Sequence, residues 1–116
     1  MAVNFTVFED FKAVAGVRLG ITQAHVRYAN RDDMVVIEIA EGSTVAGVFT
    51  TNAFCAAPVQ LCKQHLQKAA PRYFLINTGN ANAGTGKSGV ANAIRSCELL
   101  AQATGVKAEQ ILPFST

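Results

Sequence analysis

The feature that most constrains the fold is a strand–loop–helix pattern between Tyr73 and Thr104. The compact apolar run Tyr73–Ile76 has the length and residue types of a buried strand. The next segment, Asn77–Ser88, contains three glycines, three asparagines and no large apolar side chain. Apolar residues then recur at helical spacing, at Val90, Ala93, Ile94, Cys97, Leu100 and Ala101. The pattern predicts a strand, a polar glycine-rich loop and a helix over residues 88–103.

This order of elements gathers backbone N–H groups at a helix N-terminus, where they can face an anion or a developing negative charge. The alternative is a tight turn whose glycines only supply positive φ. The loop by itself leaves both interpretations open. In either case we expect Gly79 and Gly84 to hold backbone conformations that other residues adopt only with strain.

The end of the loop, Gly86-Lys87-Ser88, is similar to the end of a nucleotide-binding P-loop. That motif needs a glycine five residues before Gly86, where the chain has Ala81. No apolar strand ending in an aspartate follows to hold magnesium. The sequence therefore argues against a P-loop.

Two neighbouring segments before this pattern predict a β-hairpin. Met34–Ala40 is short and dominated by β-branched residues, which favours a strand. Glu41–Ser43 is predicted to turn, and Thr44–Thr50 to return as the second strand. Only Glu38 interrupts the apolar character of the first strand, so we expect both sheet faces to be covered in a layered protein.

The remaining segments predict shorter elements. Residues 1–12 show no clear period and are expected to be irregular, and Ala13–Ile21 is expected to be a strand. A short strand at Val59–Leu61 and a short helix at Cys62–Lys68 are predicted next, and a last strand is predicted to start at Ile111. The chain is expected to be a single incomplete domain over 1–116, with this last strand continuing beyond Thr116.

Composition excludes several classes of function. Half of the 116 residues are hydrophobic and only 16% are charged, which is typical of a folded core and not of a disordered tail. The net charge of +2 comes from scattered basic residues, so nucleic acid is not expected as a partner. No apolar stretch approaches the ~20 residues that span a bilayer, so no membrane partner is expected either.

The cysteines and histidines indicate a reduced compartment and no metal. Three cysteines with no C-x-x-C spacing are expected to be reduced and mostly buried thiols of a cytoplasmic protein. His25 and His65 stand in no ligand pattern, so no metal site is predicted. No export signal is expected, because the first residues show neither a charged n-region nor an apolar h-region.

Five motifs occur in an order that resembles one family. They are Ala46–Asn52, Ala56–Val59, Gln64–Leu66, Asn77–Ala83 and Ser115-Thr116. From about Gly16 onward the chain resembles the N-terminal part of the ornithine acetyltransferases, also called bifunctional glutamate N-acetyltransferases, of arginine biosynthesis.

The resemblance implies an α+β fold, as part of a four-layer αββα sandwich of the self-cleaving type. In this family the precursor cuts itself into an α chain and a β chain, and the new N-terminal threonine of the β chain is the nucleophile. It takes an acetyl group from N-acetylornithine, or in bifunctional members from acetyl-CoA, and passes it to glutamate. No cofactor is implied. The partners implied are the remainder of the α chain and the β chain, in an α2β2 heterotetramer.

The resemblance also assigns candidate site residues. Thr116 matches the threonine of a Thr-Gly pair that forms the oxyanion hole, whose glycine would be the next residue. Asn80 and Asn82 are expected to lie near the active-site cleft and to shape it, with a structural Asx turn as the alternative. The nucleophile and other substrate contacts match nothing in this chain, so the chain alone is expected to be inactive.

Two other functions remain open from the sequence. An amidohydrolase or aminopeptidase of the same self-cleaving fold would pass the acyl group to water instead of an amine. A non-catalytic anion-binding domain would use the Gly79–Ser88 loop as its site. Exchange of acetyl between N-acetylornithine and glutamate by the complete protein separates the three.

Overall fold

The computed structural model describes residues 10–116 of the chain, which form four strands and two α-helices. In chain order they are β1 (Val17–Thr22), β2 (Met34–Ile39), α1 (Ala57–Lys68), β3 (Tyr73–Asn77), α2 (Gly86–Thr104) and β4 (Ile111–Ser115), with a 3₁₀ turn at Ala108–Gln110 before β4. Residues 1–9 of the segment predicted to be irregular lie outside the described residues. The α+β class predicted from the sequence is confirmed.

The four strands form one sheet in the order β1-β2-β3-β4. β2 pairs antiparallel with both β1 and β3, whereas β3 and β4 pair in parallel. A parallel pair needs a crossover connection, and α2 with the 3₁₀ turn provides it. The carboxyl ends of β3 and β4 therefore lie side by side, with Asn77 opposite Ser115.

The core lies between the helices and one face of β3 and β4. Side chains of a strand alternate between the faces, and Tyr73 and Leu75 point to the helices. The buried cluster consists of Leu61, Tyr73, Leu75, Cys97 and Ile111. Ala93 and Ala101 of α2 pack against it, and their small side chains allow the helix to approach the sheet closely.

The opposite face of the sheet, here called the far face, is apolar and largely open in the described residues. The strand register places Val17, Leu19 and Ile21 of β1 on it, together with alternate residues of the other strands. Leu19 is 69% exposed and Ile21 is 63% exposed. The prediction that both faces are covered therefore holds, within residues 10–116, on the helix side of β3 and β4 and at Leu112 of the far face, which is 3% exposed, but not at β1.

Two local predictions were wrong. Residues 44–50 form no strand, and β2 pairs instead with β1 and β3, which occupy both of its edges. Alternating residues signal strand propensity, but pairing is chosen by contacts that are distant in sequence. Val59–Leu61 belongs to α1, because Pro58 fits the first turn of a helix and Leu61, Cys62 and His65 lie on one buried face.

The other elements agree with the sequence within a few residues. β3 ends at Asn77, and β4 starts at Ile111 as predicted. α2 starts two residues before the predicted Ser88 and ends at Thr104, and the next residue, Gly105, closes the helix with a φ of +77°. These elements position the polar loop between β3 and α2.

Candidate functional site

A cavity of about 420 Å³ opens at the carboxyl ends of β3 and β4, beside the first turns of both helices. Its polar lining comes from the loop and from one stripe of α2: Asn77, Asn80, Asn82, Thr85, Ser88, Asn92 and Ser96. Its apolar lining includes Val26, Met34, Leu75, Pro113 and Phe114. None of the described side chains that line it carries a charge. The cavity therefore offers amide and hydroxyl groups over an apolar floor.

Three asparagines of this loop are joined by their side-chain amides, and we call this chain of hydrogen bonds the amide relay. Asn80 Nδ2 donates to Asn82 Oδ1 at 2.9 Å. Asn82 Nδ2 donates in turn to Asn77 Oδ1 at 3.4 Å. The two asparagines predicted from the sequence thus lie at the cavity and are linked to a third, Asn77, which sequence reasoning did not single out.

The main chain of Asn82 ties the loop to both helices. Its carbonyl oxygen accepts the Ala57 N–H at 3.4 Å and the Thr85 hydroxyl at 3.3 Å. The first of these bonds satisfies one of the N–H groups that an α-helix leaves unpaired at its start. Asn82 is therefore a junction between the first turn of α1 and the residue that precedes α2.

Thr116 lies next to the relay. Its backbone N–H donates to the carbonyl oxygen of Asn77 at 2.9 Å. This bond continues the β3–β4 ladder by one residue beyond β4. Thr116 is exposed, and the amide of its backbone is occupied, so its hydroxyl is the donor left for a ligand.

Gly79 and Gly84 have φ values of +88° and +70°, which confirms the conformations predicted for them. Side chains are also excluded by close neighbours. A Cβ on Gly84 would lie 2.8 Å from Cζ of Phe54, and one on Gly79 would lie 3.2 Å from Cβ of Arg27. The loop is thus fitted between two segments that precede α1 in the chain.

Asp33 is a residue of the site region that sequence reasoning missed. It is 4% exposed, and its carboxylate accepts the N–H groups of Val26 and Ala24 at 2.6 Å each. Its carbonyl oxygen accepts the Thr78 N–H at 2.9 Å. Asp33 therefore holds the β1–β2 loop, which carries Val26, against the start of the glycine-rich loop. The sequence signal that could have identified it is an aspartate at the boundary between a polar loop and an apolar strand, since aspartates at such positions often bind the loop backbone.

The pKa of Asp33 lies below its ordinary value of 3.8. Burial acts in the opposite direction and is the largest single influence. The N–H groups of Val26 and Ala24, with a smaller contribution from His25, together outweigh it. The carboxylate is therefore charged at neutral pH.

The outer edge of β4 is closed by side chains. His65 Nδ1 lies 2.7 Å from the carbonyl oxygen of Ile111, and because a carbonyl oxygen only accepts, Nδ1 is protonated and donates this hydrogen bond. Cys62 Sγ donates to the carbonyl oxygen of Pro113 at 3.2 Å, and Pro113 itself has no N–H to leave unpaired. These contacts fix the strand that leads to Thr116.

The thiols in this region are chemically inert. Burial raises the pKa of Cys62 to about 11 and that of Cys97, with a smaller contribution from Cys62, to about 12. Since the thiolate is the reactive form, neither serves as a nucleophile near neutral pH. Within residues 10–116, no cluster of three His, Cys, Asp or Glu side chains could hold a metal ion.

The arrangement can donate hydrogen bonds but supplies no activated nucleophile among the described residues. His65 is hydrogen-bonded to a carbonyl oxygen, and the hydroxyl groups of Thr85 and Ser88 donate to backbone carbonyl oxygens of the loop, not to an imidazole or a carboxylate. Across the same residues, no helix combines the length and apolar character needed to cross a membrane.

Comparison with protein families gives a match over residues 18–116 to the family described as the ArgJ family. The chain is 57% identical over its full length to the arginine biosynthesis bifunctional protein ArgJ of Pseudomonas fluorescens. It is 53% identical over 103 residues to the protein of the same name from Methylococcus capsulatus. The chain spans 28% and 25% of the length of these two relatives.

Solved structures share the fold. A crystal structure of the arginine biosynthesis bifunctional protein ArgJ from Bacillus halodurans matches 88% of the chain with a TM-score of 0.79 and 24% identity. Ornithine acetyltransferase from Mycobacterium tuberculosis, solved in complex with ornithine, matches 88% of the chain with a TM-score of 0.72 and 28% identity. The chain covers 53% and 56% of these two structures.

Proposed function

The chain belongs to the ArgJ family, and from this we propose that it forms part of an acetyltransferase of arginine biosynthesis. The complete enzyme moves an acetyl group from N-acetylornithine to glutamate through an acetyl-threonine intermediate. The observation that carries this proposal is the 57% identity to an ArgJ protein over the whole chain. The same match favours the acetyltransferase over the amidohydrolase and the anion-binding domain.

The nucleophilic threonine belongs to a β chain that is released by self-cleavage and is absent from these 116 residues. Its hydroxyl oxygen attacks the acetyl carbonyl carbon, and the carbonyl oxygen becomes an oxyanion. Ornithine leaves as the amine and takes up the proton that the threonine hydroxyl loses. The amino group of glutamate then attacks the acetyl-threonine, and its proton returns to the released threonine oxygen. Both steps pass through a tetrahedral oxyanion, which fixed donors stabilise more than they stabilise the substrate.

Thr116 is the donor to this oxyanion that the chain provides. Three observations support its role: it follows β4, its backbone N–H is held by Asn77, and its hydroxyl remains for a ligand. Asn80 and Asn82 line the cavity together with Asn77, whose carbonyl oxygen accepts the Thr116 N–H. The uncharged lining of the cavity suits a reaction in which charge develops only in the transition state.

The same proposal covers the partners and the location. The chain is the N-terminal portion of the α chain, an incomplete domain whose far face packs against the second sheet of the four-layer sandwich. Its partners are the rest of the α chain and the β chain, in a cytoplasmic α2β2 heterotetramer. The names of two relatives describe those proteins as bifunctional. In a bifunctional enzyme acetyl-CoA is the second acetyl donor.

The proposal is tested with Thr116→Ala in the complete, fully processed enzyme. Loss of one oxyanion donor should lower kcat by roughly 10²–10³, or about 2.7–4 kcal/mol. KM for N-acetylornithine should change little, because the oxyanion is absent from the ground state. The free energy of unfolding should fall by only about 0.5 kcal/mol.

Ser115→Ala, one residue earlier, is the matched control and should retain most of the activity. Wild-type kcat in Thr116→Ala would remove Thr116 from the site. The reaction itself is tested separately, by acetyl exchange between N-acetylornithine and labelled glutamate. Release of free acetate without exchange would favour the amidohydrolase instead.

A further inference from the structure

We propose that Asn82 is a positioning residue, which holds Thr116 in place through Asn77 by means of the amide relay. This inference rests on the proposed function, in which Thr116 is the oxyanion donor. It assigns to Asn82 a role different from contact with substrate. The argument follows the hydrogen bonds from Thr116 back to the loop.

Asn77 is the link between the loop and Thr116. Its carbonyl oxygen accepts the Thr116 N–H at 2.9 Å, and its side-chain oxygen accepts from Asn82 Nδ2. A rotation of the Asn77 backbone would move the acceptor that fixes Thr116. Asn77 is the last residue of β3, paired with Met34 and Ser115, and the bond from Asn82 to its side chain adds a restraint at this strand end. An oxyanion donor loses much of its value when its position is not fixed in advance.

Asn82 is well anchored by groups other than its side chain. Its carbonyl oxygen is bound by the Ala57 N–H and the Thr85 hydroxyl, at the starts of the two helices. Truncation of the Asn82 side chain removes the relay but leaves both of these contacts. The role of the side chain can therefore be tested without removing the loop's anchors.

Both ends of the Asn82 amide are engaged with neighbouring asparagines. Oδ1 accepts from Asn80 and Nδ2 donates to Asn77. Asn80 is exposed at the outer end of the relay, whereas Asn82 is partly buried between the two. The relay thus extends from the solvent-facing loop to the strand end that holds Thr116.

The test measures kcat and KM for Asn82→Ala in the complete processed enzyme. The control is Asn92→Ala, which truncates another asparagine of the same cavity that takes no part in the relay. Loss of the relay should lower kcat roughly tenfold more in Asn82→Ala than in the control, with KM within about twofold. Asn80→Ala, which removes only the outer bond, should have a smaller effect of the same kind.

A double-mutant cycle with Thr116→Ala decides how Asn82 acts. If the relay works through Thr116, Asn82→Ala should lower kcat less than about twofold once Thr116 is alanine. An equal loss in both backgrounds would overturn the inference, as would a loss that matches Asn92→Ala. A rise in KM with unchanged kcat would make Asn82 a substrate contact and would also overturn it.

The outcomes separate this inference from the function on which it rests. Wild-type kcat in Thr116→Ala would remove the oxyanion role and, with it, the purpose of the relay. A large loss in Thr116→Ala combined with additive effects would reject the relay alone. If Asn82→Ala fails to accumulate as folded protein, the same cycle run with Asn80→Ala decides between these outcomes.

Discussion

Residues 57–116, the core half, contain every member of the buried cluster found in the described residues. Residues 10–56, the outer half, contain β1, whose six residues are all exposed. Both halves nevertheless contribute strands to one sheet with a continuous register. Within the described residues, β1 is therefore held mainly by its hydrogen bonds to β2, whereas packing against helices stabilises β3 and β4.

The contacts that hold β1 within this chain are weak ones. Its apolar residues face the open far side, and its polar face carries the Arg18–Glu38 ion pair. Arg18 is 80% exposed in its side chain, and such pairs contribute at most about 1 kcal/mol. The second sheet of the proposed sandwich would cover the far face, and this would explain why every second residue of β1 is apolar.

The largest expected effect is in the core half. Ile111 is fully buried, so Ile111→Ala should lower the free energy of unfolding of the complete enzyme by about 2–5 kcal/mol. The measurement is denaturant unfolding of both proteins, in which the midpoint should fall while the m-value stays unchanged. A loss below about 1 kcal/mol would mean that the core half does not dominate stability.

Leu19→Ala is the matched comparison from the outer half. If the far face packs against a second sheet, the substitution should cost about 2 kcal/mol in the complete enzyme, at the low end of buried leucines. If the face is open there as well, the cost should stay within about 0.5 kcal/mol. The second result would contradict the four-layer sandwich.

A smaller effect tests the contact between the halves at Gly84. Alanine at Gly84 or Gly42 incurs the strain of positive φ, about 1–2 kcal/mol. Only Gly84 also has a close neighbour, Phe54, whereas nothing lies within 4 Å of a Cβ on Gly42. Gly84→Ala should therefore cost about 1 kcal/mol more than Gly42→Ala in thermal or denaturant unfolding.

Phe54→Ala is the control for that difference. It removes the ring that a Cβ on Gly84 would meet, so the excess cost of Gly84→Ala should disappear in the double variant. An excess that persists without Phe54 would place its cause in the loop backbone. Equal costs at Gly84 and Gly42 would show that Phe54 simply rotates away.

The same division explains which parts of the fold could be predicted from the sequence. In the core half, Tyr73–Ile76 and the helical spacing after Ser88 carry their own burial pattern, so β3 and α2 were predicted within a few residues. In the outer half, Thr44–Thr50 has strand-like residues, but both edges of β2, the strand it was predicted to pair with, are occupied by β1 and β3. Local patterns do not contain that information.

The candidate site could be predicted only in part. The positive φ of Gly79 and Gly84 followed from the residue type and position. The hydrogen bonds of Asn77 and Asp33 did not, because each joins residues that are close in space but belong to different elements. Roles for Thr116, Asn80 and Asn82 came from resemblance and remain predictions.

The last and smallest effect concerns the dependence of stability on pH. It tests the contacts by which Asp33 connects the two halves. The pKa of Asp33 is lower in the folded chain than its ordinary value of 3.8. A carboxylate with a depressed pKa stabilises the folded state above the unfolded pKa, and this contribution is lost as the pH falls through the folded pKa. The difference in unfolding free energy between wild type and Asp33→Asn should therefore be constant above about pH 5 and shrink below pH 3.8.

The matched control is Asp32→Asn, which removes the exposed neighbouring carboxylate that accepts a bond from Gln23. Because that carboxylate is exposed and does not bind the loop backbone, its unfolding curves should follow wild type more closely at every pH. A wild-type advantage over Asp33→Asn that grows on acidification would reverse the expected sign. It would show that burial raises the pKa of Asp33 by more than the N–H groups of Val26 and Ala24 lower it. Other contacts would then hold the β1–β2 loop against Thr78.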